Sequence, residues 1–168
     1  MDHNSIIDRE TFKVYTHSED YHKAFICDKF LAPVVATLNK KGYKTFACCQ
    51  GHYKVEFYEY FNENLDNLEK LKQDKHIVIK NITDTGFDYW KEVTKTGIYI
   101  LFETKYNFPV LPNGFILETF SDKTDIHRNI QFYDENDNKR RRYEIESEIE
   151  KYCEILKKWA EDLPERKE

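Results

Sequence analysis

A chain of 168 residues with 40% apolar and 15% aromatic side chains is long enough to bury a core without disulfide or metal staples. Five glycines, four prolines and the lack of any Ser- or Gln-rich tract argue against a flexible linker or a long disordered segment. A formal net charge of -5, from 26 basic and 31 acidic side chains, excludes a general nucleic-acid coat, so nucleic acid is not an expected partner.

Residues 1–26 read as a poorly defined lead-in, polar apart from Ile6-Ile7 and the spaced Phe12, Val14, Tyr21 and Phe25, with room for one short strand. No apolar stretch follows Met1 and the start is Asp2-His3-Asn4-Ser5, so the expected location is the cytoplasm. No run approaches the roughly 20 apolar residues that cross a bilayer. After Asp28, read as an N-cap, Phe30, Leu31, Val34, Val35 and Leu38 recur at helical spacing. Pro33 is tolerated in the first turn and Gly42 ends the helix behind Lys40-Lys41.

Tyr43 to Cys48 alternates as a strand and runs into the turn Cys48-Cys49-Gln50-Gly51-His52. The aromatic run Tyr53 to Phe61 reads as a strand, and Leu65, Leu68 and Leu71 behind Asn62 and Asn64 as a short helix. Strands are expected at Ile77 to Ile82, Gly97 to Phe102, Phe115 to Phe120 and Asn129 to Tyr133, separated by Asp84-Thr85-Gly86 and Pro112-Asn113-Gly114. From Lys139 the period becomes 3.6: Ile145, Ile149, Tyr152, Leu156, Trp159 and Leu163 mark a helix over 139–164. The expected architecture is one α+β domain over 1–168. In it a mixed or antiparallel sheet of about five to six strands is packed by a helix in the N-terminal half and a long C-terminal amphipathic helix.

The turn Cys49-Gln50-Gly51-His52 offers a thiol, an amide that donates and accepts, a glycine that lets a ligand near the backbone, and an imidazole titrating near neutrality. The bland reading places Cys48 in the core, gives Gly51 a positive φ and lets His52 close the turn. A nucleophilic Cys49 activated by His52 or His127 is a further reading. No cofactor is expected. Zinc is the lesser alternative, because Cys27, Cys48, Cys49, His52 and His127 supply ligands but no Cys-x-x-Cys pair, and Cys27 lies across a helix from the turn.

Asp125-Ile126-His127-Arg128, read as lying just before a strand, is the second candidate, with Arg128 able to clamp an anion. Lys139-Arg140-Arg141-Arg142 beside acidic Asp134-Glu135-Asn136-Asp137 reads first as a solvated helix end.

The run Leu38-Asn39-Lys40-Lys41-Gly42-Tyr43-Lys44-Thr45 followed by Cys49-Gln50-Gly51-His52 resembles a pattern in small uncharacterised proteins of phages and prophages of low-GC Gram-positive bacteria. The likeness covers about residues 28 to 61 and extends weakly to Asn113-Gly114-Phe115. It implies an accessory protein, in the role of a host-defence antagonist that sequesters a signalling nucleotide or blocks a defence protein. The same turn is distantly similar to the Ser-x-Cys-Ser-Gly-Arg element of the wybutosine-synthesising tRNA methyltransferase family. His52 stands where that family has Arg, and Cys48 and Gln50 replace serines; the likeness implies a strand-end turn that meets a polar ligand.

The leading expectation is therefore a nucleotide or other anionic small ligand bound through Cys49, Gln50, Gly51 and His52 with His127 and Arg128, and with Tyr53, Tyr58 and Tyr60 available to stack. The first rival is a small hydrolase or transferase with His52 or His127 as base and Arg128 as electrostatic stabiliser. The second is a protein-interaction module presenting Tyr53 to Phe61 and the basic helix start to a partner. The long terminal helix also leaves room for a homo-oligomer.

Overall fold

The structure, a computed structural model, describes residues 4–8, 11–15, 24–53, 56–61, 68–83 and 86–167. Strands β1 (Asn4–Asp8), β2 (Val14–Tyr15) and β3 (Ala24–Asp28) form a small antiparallel sheet in the order β2-β1-β3. The N-terminal segment is thus not a lead-in: Ile7 is fully buried in the main core. Tyr21 lies outside the described residues.

Helix α1 (Ala32–Lys40) follows, with Pro33 in its first turn and Gly42 at φ +89° behind it. Asp28 does not cap it, since Leu31 is the N-cap and no side chain bonds there. At the other end the amide N–H of Tyr43 donates to the Leu38 carbonyl at 2.9 Å. The Asn39 side chain donates to Thr45 Oγ1 at 2.8 Å and accepts from the Thr45 N–H at 3.2 Å, which sets where the next strand begins.

That strand is β4 (Thr45–Cys49). It belongs to a four-stranded antiparallel sheet with β8 (Lys95–Phe102), β9 (Ile116–Phe120) and β10 (Lys123–Gln131), in the order β4-β8-β10-β9. A third antiparallel sheet, β5-β7-β6, joins β5 (Glu56–Phe61), β6 (Ile77–Thr83) and β7 (Gly86–Glu92), with the short helix α2 (Leu68–Lys72) between β5 and β6. Asn62, Asn64, Leu65, Asp84 and Thr85 lie outside the described residues. The α+β class holds, and the strands are divided over three sheets.

Helix α3 (Arg142–Asp162) starts three residues later than Lys139 because the preceding segment is pulled back toward β10: the Arg140 N–H donates to the Phe132 carbonyl at 2.8 Å. Its stripe Ile145, Ile149, Cys153, Leu156, Trp159 and Ala160 is buried. Those side chains meet Val34, Val35 and Leu38 of α1, and Ile98, Ile100, Phe102, Ile126 and Ile130 of the four-stranded sheet, in one core. A strand alternates faces, so this leaves Tyr99, Leu101, Asp125, His127 and Asn129 on the opposite side of the sheet. There they line an open trough of about 450 Å³ with Gly97, Phe120 and Lys123. No described helix is long and apolar enough to cross a membrane.

Candidate functional site

The Cys-Cys-Gln-Gly-His turn is built by its backbone first. Gly51 sits at φ +80°, a conformation that favours glycine, and a Cβ there would fit tightly, 3.3 Å from both Thr96 Cγ2 and Thr96 Oγ1. Its neighbours are locked in place. The Gln50 N–H donates to Asp28 Oδ2 at 2.9 Å, the buried Gln50 side chain accepts from the Phe30 N–H at 2.8 Å, and the His52 N–H donates to Thr96 Oγ1 at 3.0 Å. Asp28, which precedes a helix like an N-cap, is thereby spent on the turn; it also faces His52, whose Nε2 lies 3.3 Å from Asp28 Oδ2.

Cys48 and Cys49 part company at the sheet. Cys48 packs against the core, and its sulfur lies 3.2 Å from that of Cys27. Cys27 therefore does not lie beyond a helix from the turn; β3 and β4 run close enough to bring the two thiols together. The Cys27 thiol is pushed strongly up by its hydrogen bond to Cys48 and by burial. The same contact lowers Cys48, and either sulfur can be the donor across it. Cys49 faces the other way, and burial raises its thiol, with the nearby Asp28 charge adding to the effect. A raised thiol is the reverse of what a nucleophilic cysteine needs.

Around this turn opens a cleft of about 510 Å³. Gln50, Gly51, His52 and Tyr53 form one wall, Lys29 and Phe30 the second, and Arg142, Glu146, Ile149 and Glu150 of α3 the third. The volume lies within the roughly 300–1,000 Å³ of small-molecule sites. Arg142 bonds Glu146 at 2.8 Å and stands 5.3 Å from the Tyr53 ring centre. Two more members of the basic run are paired within the molecule: Arg140 contacts Glu148 at 2.6 Å and Lys139 contacts Glu92 at 3.4 Å.

The second candidate is split by strand geometry. Asp125, His127 and Arg128 lie inside β10, not before it, so His127 and Arg128 point to opposite faces. Arg128 turns toward α3, donating to the Gly114 carbonyl at 2.9 Å, standing 3.8 Å from the Tyr152 ring centre and 3.6 Å from Glu148. His127 lies on the open face, 2.8 Å from Asp125 and 3.9 Å from Glu118. Burial raises the Asp125 carboxyl, opposed by the hydrogen bond from His127. Across the sheet Cys49 pairs with Tyr99 and Tyr99 with His127. Two strand spacings put Cys49 and His127 about 10 Å apart at the backbone. Neither His127 nor Arg128 lines the cleft at His52, so the ligand set expected from the sequence is not assembled at one place.

Lys29, Phe30 and Thr96 are site residues that sequence reasoning missed, and none sits in a pattern that marks it. Arg142 was visible only as part of a charge run. Tyr58 and Tyr60 are paired with Trp90 and Asp88 on β5. No family model, curated protein or solved structure matches the chain.

Proposed function

We propose that this protein binds a nucleotide, or another small ligand that combines a ring with an anionic group, in the cleft between Phe30, the Gln50–Tyr53 turn and the start of α3. One observation carries the reading: a cleft of ligand size has a ring on each of two walls, a cation on each of two, and two carboxylates on the α3 wall. Phe30 is 40% exposed and Tyr53 lines the same space, so a flat base has rings to stack on. Lys29 and Arg142 answer a phosphate. Glu146 and Glu150 are hydrogen-bond acceptors for sugar hydroxyls or a base amino group, the use made of an acidic residue in many dinucleotide sites. The rigid turn supports the same reading, because a preorganised wall reduces the ordering cost of binding.

In the accessory role that the phage-type resemblance implies, such a protein holds its ligand without turning it over. The dispersal of His52, His127 and Arg128 favours holding over catalysis, since general-base and oxyanion roles need convergent groups.

A thermal-shift screen of nucleosides, nucleotides and cyclic nucleotides, run with a chelator present, tests the reading. A ligand at 100 times its dissociation constant stabilises by about 2.7 kcal/mol. Phe30→Ala is expected to weaken nucleosides and nucleotides alike, and Arg142→Ala to weaken only the phosphorylated ones. A screen without any shift, or shifts indifferent to both substitutions, removes the cleft as the site.

A further inference from the structure

We infer that Asp28, Cys49 and His52 form a three-ligand site for a divalent transition metal of the zinc type, beside the cleft that His52 lines. The inference does not depend on the nucleotide reading. It departs from the sequence expectation of no cofactor because the structure supplies Asp28, a ligand no Cys/His spacing indicates.

The donor atoms of the three side chains all lie within 4.8 Å of one another. The His52 Nε2 to Asp28 Oδ2 separation is 3.3 Å. Two ligand atoms held tetrahedrally about zinc, each roughly 2.0–2.1 Å from it, stand about 3.4 Å apart. The nitrogen and oxygen are therefore already at the spacing of one edge of a coordination tetrahedron, and the thiol is within reach of a third corner. An ordinary ion pair explains His52 and Asp28 by themselves; it does not explain why a thiol converges on the same point.

Each ligand residue is also held by a hydrogen bond at its side chain or backbone. The Gln50 N–H holds Asp28 Oδ2, the Gly51 N–H reaches Cys49 Sγ at 3.4 Å, and Thr96 Oγ1 fixes the His52 backbone. These contacts come from the one turn that Gly51 permits. On binding, the Cys49 S–H bond breaks, a sulfur–metal bond forms and the proton leaves to solvent. Thiolate and carboxylate together then cancel the charge of the divalent ion. Three protein ligands leave a fourth position open. That position takes a water or an anionic oxygen, a phosphate among them.

The second convergent group, Glu118, Asp125 and His127, serves as an internal control. It has no sulfur, its His127 to Glu118 distance is 3.9 Å, and Glu118 is half exposed. A soft, thiolate-preferring ion thus chooses the first group.

Cobalt(II) separates the two sites because only a thiolate gives a sulfur-to-cobalt charge-transfer band. The full chain is stripped with chelator, reduced and titrated with cobalt, and absorbance and proton release are read together. The expected result is a thiolate band with one proton released per cobalt, both lost in Cys49→Ala and both unchanged in His127→Ala. His52→Ala, at a half-exposed side chain, is expected to weaken cobalt by about 10-fold or more, since even outer partners of metal ligands cost 10- to 100-fold. Circular dichroism on each variant confirms the fold. A wild-type chain without the band overturns the site; so does a band that survives Cys49→Ala, which would assign the metal to Cys27 and Cys48. The chelated nucleotide screen has a separate readout, so either reading fails without the other.

Discussion

Gly51 concentrates the requirements of the turn in one residue. A side chain there meets an unfavourable φ and a crowded Thr96 together. Gly51→Ala is expected to cost about 1–3 kcal/mol, the usual price of a non-glycine residue held at positive φ, and chemical denaturation reads it. A cost below a few tenths would mean that the turn relaxes freely. At this scale the sequence was only partly legible. The turn itself stands out because Gln50, Gly51 and His52 follow directly on two adjacent cysteines at a strand end. Asp28 was legible as polar and helix-adjacent, which suits an N-cap as well as it suits a partner for Gln50 and His52. Nothing local distinguishes the two, because the deciding contacts come from residues more than twenty positions away.

Among the elements, the helices were the easier reading. The 3.6-residue stripe of α3 and the Gly42 stop of α1 are local signals, and both describe what the chain does. Strand β7 escaped because its Phe87-Asp88-Tyr89-Trp90 run mixes a buried alternation, Phe87 and Tyr89, with a third ring out of phase. Strand β10 was placed too late because Asp125, His127 and Arg128 look like turn chemistry; Asp125 and His127 lie on the strand's open face and Arg128 reaches toward α3 from the other.

The end of β7 makes its own prediction. Glu92 is held below the usual carboxylate range, first by the Tyr133 hydroxyl, then by His76 and Lys139, so it links β6, β7 and the lead-in to α3. A carboxyl lowered on folding stabilises the fold above its unfolded value and loses that contribution as pH falls through the folded one. Glu92→Gln is therefore expected to lower stability by about 1 kcal/mol at neutral pH. The gap to wild type should close below pH 4.5, the ordinary value of the group. Melting curves across pH check this, and a gap that persists in acid would assign the loss to packing.

For the whole molecule, the described residues divide between two cores of unequal size. One joins β1, α1, the four-stranded sheet and α3, and the other holds Phe87 and Tyr89 with Leu71, Ile77 and Ile79 packed against them. Local opening follows the density of buried contacts. Amides of β6 and β7 are expected to exchange with solvent before those of β8 and β10 in native-state hydrogen exchange, and simultaneous exchange would show a single cooperative unit.

The three-walled cleft also has a consequence for the rates at which the chain gains and loses its shape. Its walls come from residues 29–53 and from 142–150, segments far apart in the sequence. Contacts across such a separation carry a large loop-closure cost and slow the search for the native arrangement. A molecule lodged between those walls has nothing to grip until both have arrived. It therefore acts as a late clasp that lengthens the lifetime of the finished fold while leaving the time taken to reach it nearly unchanged.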